Sequence, residues 1–179
     1  MKSQQFDPLV PQKLTTSPSV TGASVIGLKY NGGVLIAADT QLSYGSYKVN
    51  KDIERIFQVS DNTAIASTGE YADSTELRDK IRLKYEDDLI AEDGFSFFQP
   101  KDYCKWLGSL HYARRSKGNP YWNNHVVGGI NADGSPYLGS VDLYGCVIEE
   151  NDYVVSGFAH YFCNVLLTNA GDPLELTEE

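Results

Sequence analysis

Three histidines carry the side chains that most often act as general bases or metal ligands near neutral pH. They are His111, His125 and His160, and they fall in three separate predicted elements with no second ligand beside any of them. Because a metal site or a base–nucleophile pair needs partners within bonding reach, we interpret each histidine as structural. His111, next to Tyr112 and Arg114 on a predicted helix, is expected at the surface or in an interface.

The three cysteines, Cys104, Cys146 and Cys163, are scattered and form no C-x-x-C pair. An odd number of cysteines without a regular spacing is typical of a reducing compartment and of buried thiols. Zinc ligands would cluster at short spacing. The sequence therefore predicts no metal and no cofactor.

One dense basic run, Arg114-Arg115-Ser116-Lys117, is followed by Tyr121 and Trp122. A phosphate site or a localisation patch would each use such a run. Arginine, tyrosine and tryptophan are also the residues that dominate interface energetics. In an acidic chain the docking interpretation is favoured, with Arg114, Arg115, Lys117, Tyr121 and Trp122 as the interface residues.

Composition narrows the possible partners. The chain has 179 residues, a formal net charge of −9 and 41% hydrophobic residues, which is typical of one globular domain. An acidic chain is repelled by the phosphate backbone, so no nucleic-acid partner is predicted. No apolar stretch approaches the ~20 residues that span a bilayer, so no membrane partner is predicted. Met1 to Leu14 lacks the apolar centre of a secretory signal.

The elements that must position these residues begin with a hairpin. Two β-rich runs, 24–30 and 33–39, flank Asn31-Gly32, which is a strong two-residue turn signal. The run 34–38 is apolar on both faces and predicts a central strand covered on each side. Further strands are expected at 53–59 and 63–67.

The pattern then changes to helical spacing. Leu77, Ile81 and Tyr85 recur every four residues, which predicts an amphipathic helix. A second amphipathic helix is expected to begin at Pro100. Two hairpins are predicted next. The first pairs strands 125–131 and 136–143, and the second pairs strands 146–149 and 153–156. Two helices follow, one at 159–167 and one from 174. Two antiparallel sheets inside and helices outside, an α+β sandwich, is the simplest arrangement.

Local motifs resemble a known family. The run from Val20 to Asp39 resembles the first hairpin of proteasome beta-type subunits, which are N-terminal-nucleophile hydrolases. Thr15–Gly22, Ser43–Ser46, Gly69–Asp73 and Arg114–Asn123 are similar to the seventh, non-catalytic beta subunit of the eukaryotic ring. The resemblance implies a four-layer αββα sandwich.

The same resemblance implies a degenerate catalytic site. Ala23 matches the catalytic Thr, and an alanine has no hydroxyl to attack a carbonyl. Arg55 matches a Lys that helps to depress the pKa of the terminal amine, and Phe158 matches a Ser that holds this amine. Asp39 and the oxyanion-hole residue Gly69 are retained. We expect Asp39 to pair with Arg55 in a largely buried ion pair.

The function implied is a non-catalytic structural subunit of the 20S proteasome core. Its partners would be the other alpha and beta subunits of a hetero-oligomeric 28-subunit particle in cytoplasm and nucleus. An active threonine-type endopeptidase of the same fold and a free-standing binding module are the alternatives.

The resemblance also divides the chain. Residues 1–14 are similar to a propeptide removed between Leu14 and Thr15, residues 15–22 to a retained arm, and residues 23–179 to a beta-type domain. A complete member continues with a fourth helix, final strands and a tail, so three alternatives are open: the sequence is C-terminally truncated, a partner covers the open edge, or this is a degenerate subunit. If the chain is complete, we expect aggregation or dependence on neighbours.

Overall fold

The computed structural model describes residues 18–91, 93 and 98–171, and these contain two antiparallel sheets and three helices. The strands and helices are β1 (Val20–Gly22), β2 (Ser24–Tyr30), β3 (Gly33–Ala38), β4 (Leu42–Tyr44), β5 (Tyr47–Asn50), β6 (Ile56–Ser60), β7 (Thr63–Glu70), α1 (Tyr71–Ala91), α2 (Pro100–Ser116), β8 (Asn123–Ile130), β9 (Pro136–Val141), β10 (Val147–Glu149), β11 (Tyr153–Gly157) and α3 (His160–Asn169).

The larger sheet, sheet A, has the order β10-β9-β8-β7-β1-β4-β5, and β6 also pairs with β7. The smaller sheet, sheet B, has the order β11-β2-β3. The two sheets face each other over a core of small and branched side chains, which are Val25, Ala66, Val126, Leu138 and Val154.

The helices cover the outer faces of this pair of sheets. Leu77 and Ile81 of α1 and Leu107 of α2 are buried in a second core with Ile65 and Val127 of sheet A. On the other side α3 contacts β11, and Tyr153 hydrogen-bonds to Thr168. This layering confirms the predicted α+β sandwich, and the two helices predicted from the stripes at Leu77 and Pro100 are both present.

The Asn31-Gly32 hairpin is confirmed. Tyr30 pairs with Gly33, so the connection has two residues, and Gly32 has φ of 122°. This left-handed conformation is open to glycine at little cost, because glycine has no Cβ.

The prediction that 34–38 forms a central strand covered on both faces is wrong. Among the described strands β3 lies at the edge of sheet B, and Leu35 on its outer face is 48% exposed. Val34 and Ile36 alternate with it and pack on the core between the sheets.

The prediction that 146–149 and 153–156 form one hairpin is also wrong. β10 extends sheet A by pairing with β9, whereas β11 pairs with β2 in sheet B. The turn around Asn151-Asp152 therefore carries the chain from one sheet to the other, which a turn signal alone does not reveal.

Three short strands were not predicted. Val20–Gly22, assigned to an arm, forms β1 between β7 and β4, and β4 and β5 form a hairpin at the end of sheet A. Strands of three or four residues are too short to show a periodic pattern. The fourth helix predicted from residue 174 lies outside the described residues.

Candidate functional site

Five residues predicted from the resemblance lie at one end of the space between the sheets. Ala23 joins β1 to β2, and its carbonyl accepts a hydrogen bond from the backbone N–H of Phe158 at 2.7 Å. Gly69 lies in β7 opposite Gly22. Asp39 follows β3 directly, and its carboxylate accepts the N–H of Ser24 at 2.8 Å. The fold therefore brings these positions together as expected.

Asp39 and Arg55 form the predicted ion pair. Arg55 Nη2 lies 3.0 Å from Asp39 Oδ1, and the exposed fractions of the two side chains are 4% for Arg55 and 32% for Asp39. The pair is thus buried on the arginine side only. Arg55 Nη1 also donates to the carbonyl of Ser24 at 3.4 Å.

The environment of Arg55 does not make it a base. Burial lowers the pKa of Arg55, and the negative charge of Asp39 partly offsets this effect. A guanidinium nevertheless keeps its proton in proteins, so it donates hydrogen bonds and cannot accept a proton from a nucleophile.

A cleft of about 810 Å³ opens beside Ala23 and Phe158. Thr21, Thr68 and Ser156 contribute hydroxyls to its wall, and Thr68 Oγ1 lies 3.0 Å from Ser156 Oγ. Ala23 offers only a methyl group. Ser140 also lines the cleft, and its hydroxyl donates to Glu150 Oε1 at 3.2 Å. Among the described hydrogen bonds, none joins the hydroxyl of Thr21, Thr68 or Ser156 to a basic side chain.

The structure brings two histidines together, which the sequence interpretation missed. His111 Nε2 and His125 Nε2 are 2.9 Å apart, and His125 Nδ1 lies 2.7 Å from Ser67 Oγ. His111 is 0% exposed, so its assignment to the surface or an interface is wrong. A signal was present, because His111 continues the buried stripe of Tyr103 and Leu107 at four-residue spacing.

The order of contacts is that of a nucleophile, a base and an orienting group, with Ser67, His125 and His111 in these three positions. Two observations oppose that use. Ser67 is only 5% exposed, and His125 is only 1% exposed, so neither side chain is open to a peptide substrate. We therefore assign Ser67, His125 and His111 to a structural link between β7, β8 and α2.

The contact between the two histidines and their burial favour the neutral imidazoles. A contact between two Nε2 atoms requires one to carry a proton and the other to accept it. Burial lowers the pKa of His125 well below its usual value, and the adjacent His111 lowers it further. Burial lowers the pKa of His111 as well, although the Leu143 backbone and the Asp142 carboxylate act in the opposite direction.

Acid is therefore expected to destabilise the fold. Below a pH of about 6.5 the histidines of the unfolded chain take up protons that the folded chain excludes, so the free energy of unfolding falls by at most about 1.4 kcal/mol per pH unit for each such histidine. Above that pH the two histidines contribute no pH dependence. Urea unfolding at a series of pH values from 7.5 to about 5.5 measures this slope.

Two variants test whether the buried histidines, and not other titrating groups, cause the pH dependence of the free energy of unfolding. His111→Gln removes one buried imidazole and is expected to reduce the slope, whereas His160→Gln, at an exposed position on α3, is expected to keep the slope of the parent chain. Equal slopes in all three proteins would contradict the assignment.

The residues predicted to form an interface are only partly available. Tyr121 is 0% exposed, and its hydroxyl donates to Glu76 and accepts from Lys80, so this residue belongs to the interior of the chain. The guanidinium of Arg114 lies over the Tyr121 ring at 4.4 Å. Trp122 is half-buried, and its backbone N–H donates to the carboxylate of Asp73.

Arg115 and Lys117 are exposed, and their interface role stays a prediction. Leu14 and Thr15, the predicted processing positions, lie outside the described residues. Within the described ranges no group of three or more potential ligands is placed to hold a metal ion. No helix of the described part is long and apolar enough to cross a bilayer.

Comparison with known proteins identifies the family. Residues 19–178 match the family described as Proteasome subunit. The chain is 41% identical over 150 residues to a Drosophila melanogaster protein named proteasome subunit beta type-4. The matched region covers 83% of this chain and 55% of that protein. A Xenopus laevis protein of the same name is 41% identical over 157 residues, with 88% of this chain and 64% of that protein covered.

A Saccharomyces cerevisiae protein named proteasome subunit beta type-7 is 36% identical over 166 residues, which cover 90% of this chain and 62% of that protein. The chain thus spans from 55% to 64% of the length of these relatives. The family match covers nearly all of the described residues, and the αββα layering agrees with it. The chain therefore belongs to the proteasome beta-subunit family.

Proposed function

We propose that this chain is a non-catalytic structural subunit of the 20S proteasome core. One observation carries the proposal: Ala23 connects β1 of sheet A to β2 of sheet B, and it places a methyl group where an N-terminal nucleophile needs a hydroxyl and a free amine. The chain would close a beta ring and support active neighbours in ATP- and ubiquitin-dependent protein degradation, in cytoplasm and nucleus.

The remaining positions support this proposal. Arg55 is held by Asp39 and by the Ser24 carbonyl, and it cannot exchange a proton as a lysine does. The exposed ring of Phe158 makes tilted and edge-to-face contacts with Tyr161 and Phe162 of α3, and it brings no hydroxyl to Ala23. Catalysis would therefore require changes at three positions and not at Ala23 alone.

An electrophile that captures N-terminal threonine tests this proposal against the active-peptidase alternative. Tagged full-length chain is purified from its source cells, treated with the electrophile, and analysed by intact mass. We expect co-elution in a very large particle and no adduct on this chain, while active subunits of the same particle are labelled and act as the positive control. An adduct on this chain would contradict the proposal.

Elution of the chain as a stable monomer would instead favour a free-standing binding module. The same mass measurement gives the N-terminus of the assembled chain, which tests the predicted processing between Leu14 and Thr15.

Charge reversal at the exposed end of the basic run tests the interface. Arg115→Glu with Lys117→Glu is expected to reduce incorporation into the particle several-fold, because charges that face a complementary partner then repel it. Arg82→Glu, at an exposed position on α1, is the matched control and is expected to assemble normally. Equal incorporation of both variants, measured by quantitative mass spectrometry, would contradict the interface assignment.

A further inference from the structure

Asn31 is the one asparagine of this chain that is followed by a glycine. The chain has ten asparagines, and the residue after each of the others carries a side chain. Asparagine is a thermolabile residue, because the backbone nitrogen of the next residue can attack its side-chain amide. A glycine leaves that nitrogen unobstructed, since it has no Cβ. The sequence therefore singles out Asn31 as the most reactive asparagine.

The turn that contains Asn31 is open to solvent. Asn31 and Gly32 are both exposed, and they form the whole connection between β2 and β3. Within the described part of the chain, no hydrogen bond holds the side-chain amide of Asn31 or the backbone N–H of Gly32. An added Cβ at Gly32 would meet only a ring carbon of Tyr30, at 3.8 Å. Both reacting groups are therefore free to approach each other.

Hydrogen bonds protect most of the other asparagines. Nδ2 of Asn123 donates to the carbonyls of Thr68 and Glu70, and Asn123 is only 1% exposed. Hydrogen bonds also hold the side chains of Asn50, Asn62, Asn124, Asn131 and Asn164. A side-chain amide in such a bond has to break it before it can react.

At two further positions the backbone nitrogen of the next residue is not available. Pro120 follows Asn119, and a proline has no N–H. Ala170 follows Asn169, and its N–H donates to a backbone carbonyl of α3. Neither asparagine therefore has the reactant that Asn31 has.

Asn151 is the remaining asparagine and the closest comparison for Asn31. It is exposed, and Asp152 after it carries a side chain. The two positions thus share their exposure to solvent, and only Asn31 has the glycine.

The reaction at Asn31 needs water and no other reactant. The backbone nitrogen of Gly32 bonds to Cγ of Asn31, the bond from Cγ to Nδ2 breaks, and Nδ2 leaves as ammonia with the proton that Gly32 gives up. The product is a five-membered imide ring. Water then adds to one of its two carbonyls and breaks the bond from that carbonyl to the Gly32 nitrogen. Opening at Cγ gives aspartate, and opening at the main-chain carbonyl gives isoaspartate, in which the main chain continues through Cγ.

We propose that Asn31 is a spontaneous deamidation site of this chain and that isoaspartate forms there. Deamidation adds one negative charge to a chain whose formal net charge is −9. Isoaspartate also adds one carbon atom to the main chain of a two-residue turn, beside the Tyr30–Gly33 pair that closes the hairpin. The site depends neither on assembly into a particle nor on the positions around Ala23.

Incubation of the full-length chain at physiological temperature, followed by digestion and mass spectrometry, tests the site. Each deamidated asparagine gains about 1 Da, and fragmentation of the peptides locates the gain. We expect the gain at Asn31 before any at Asn151, and faster at about pH 8.5 than at about pH 6, because the attack requires loss of the Gly32 amide proton. No gain at Asn31, or a gain no faster than at Asn151, would overturn the proposal.

Two variants at exposed positions connect the reaction to Asn31. Asn31→Gln lengthens the side chain by one carbon atom, so the ring would need six members, and the early mass gain is expected to vanish. Asn151→Gln is the matched control and is expected to deamidate at the rate of the parent chain. An equal mass gain in the parent chain and in Asn31→Gln would contradict the assignment.

A methyltransferase specific for isoaspartyl carboxylates, supplied with labelled S-adenosylmethionine, identifies the product. We expect the incubated parent chain to take up label and the incubated Asn31→Gln variant to take up none. A mass gain at Asn31 without methyl label would show that only aspartate forms and would overturn the proposed isoaspartate.

Discussion

Gly69→Ala is expected to lower the free energy of unfolding by about 3–5 kcal/mol. Gly69 has φ of 95°, where an alanine is strained, and an added Cβ would collide with the carbonyl oxygen of Trp122 and lie 3.0 Å from its carbonyl carbon. This obstacle is backbone between α2 and β8, so no side-chain rotation relieves it. Urea unfolding of the full-length chain measures the loss.

Gly118→Ala is the matched control for this substitution. Gly118 also has a positive φ, 70°, but an added Cβ there meets no atom within 4 Å. We expect a loss of about 1 kcal/mol from conformational strain alone. If the two variants lose equal stability, the collision with Trp122 contributes nothing. A larger loss at Gly69 would show that the fold itself requires a glycine at this position.

Asp39→Asn is expected to lower the free energy of unfolding by about 3 kcal/mol. The amide oxygen can still accept the N–H of Ser24, so the substitution removes the charge opposite Arg55 and little else. A guanidinium that is 4% exposed then lacks its counterion. The free energy of unfolding from urea denaturation is again the measurement.

A surface pair provides the comparison for Asp39. Glu86→Gln breaks the ion pair with Arg82 on the exposed side of α1 and is expected to cost about 0.3–0.5 kcal/mol. The double variant Asp39→Asn with Arg55→Met should recover part of the loss, because it removes the buried charge as well. A double variant as unstable as the sum of the single variants would show that the two charges are not coupled.

Local signals in the sequence predicted the elements that depend on local geometry. Asn31-Gly32 specified its hairpin, and the stripes at Leu77 and Pro100 specified their helices, because turn and helix formation are decided within a few residues. The ion pair of Asp39 and Arg55 was anticipated only through the family resemblance. Its residues lie in different strand connections, and no spacing rule joins them.

Features that depend on how the sheets and helices pack against each other could not be predicted from local sequence signals. The apolar run around Leu35 does not show whether a second layer covers its outer face, and the described chain leaves that face open. His111 and His125 lie on α2 and β8, and only the packing of this helix on sheet A brings their Nε2 atoms to 2.9 Å. The periodicity of polar and apolar residues does not predict buried polar pairs of this kind, because it shows which positions are polar and not which residues contact each other.

The position of β1 also determines what cleavage before residue 23 would do to sheet A. Among the described strands, the β4–β5 hairpin joins the rest of sheet A only through β1. Release of a free amine at residue 23 would cut the chain directly after β1 and turn a covalently tethered strand into a separate peptide. A variant with a nucleophile at residue 23 that required such cleavage would thus also lose the covalent attachment of β1. The hairpin of β4 and β5 would then be held to sheet A only by a peptide that is no longer covalently joined to β2.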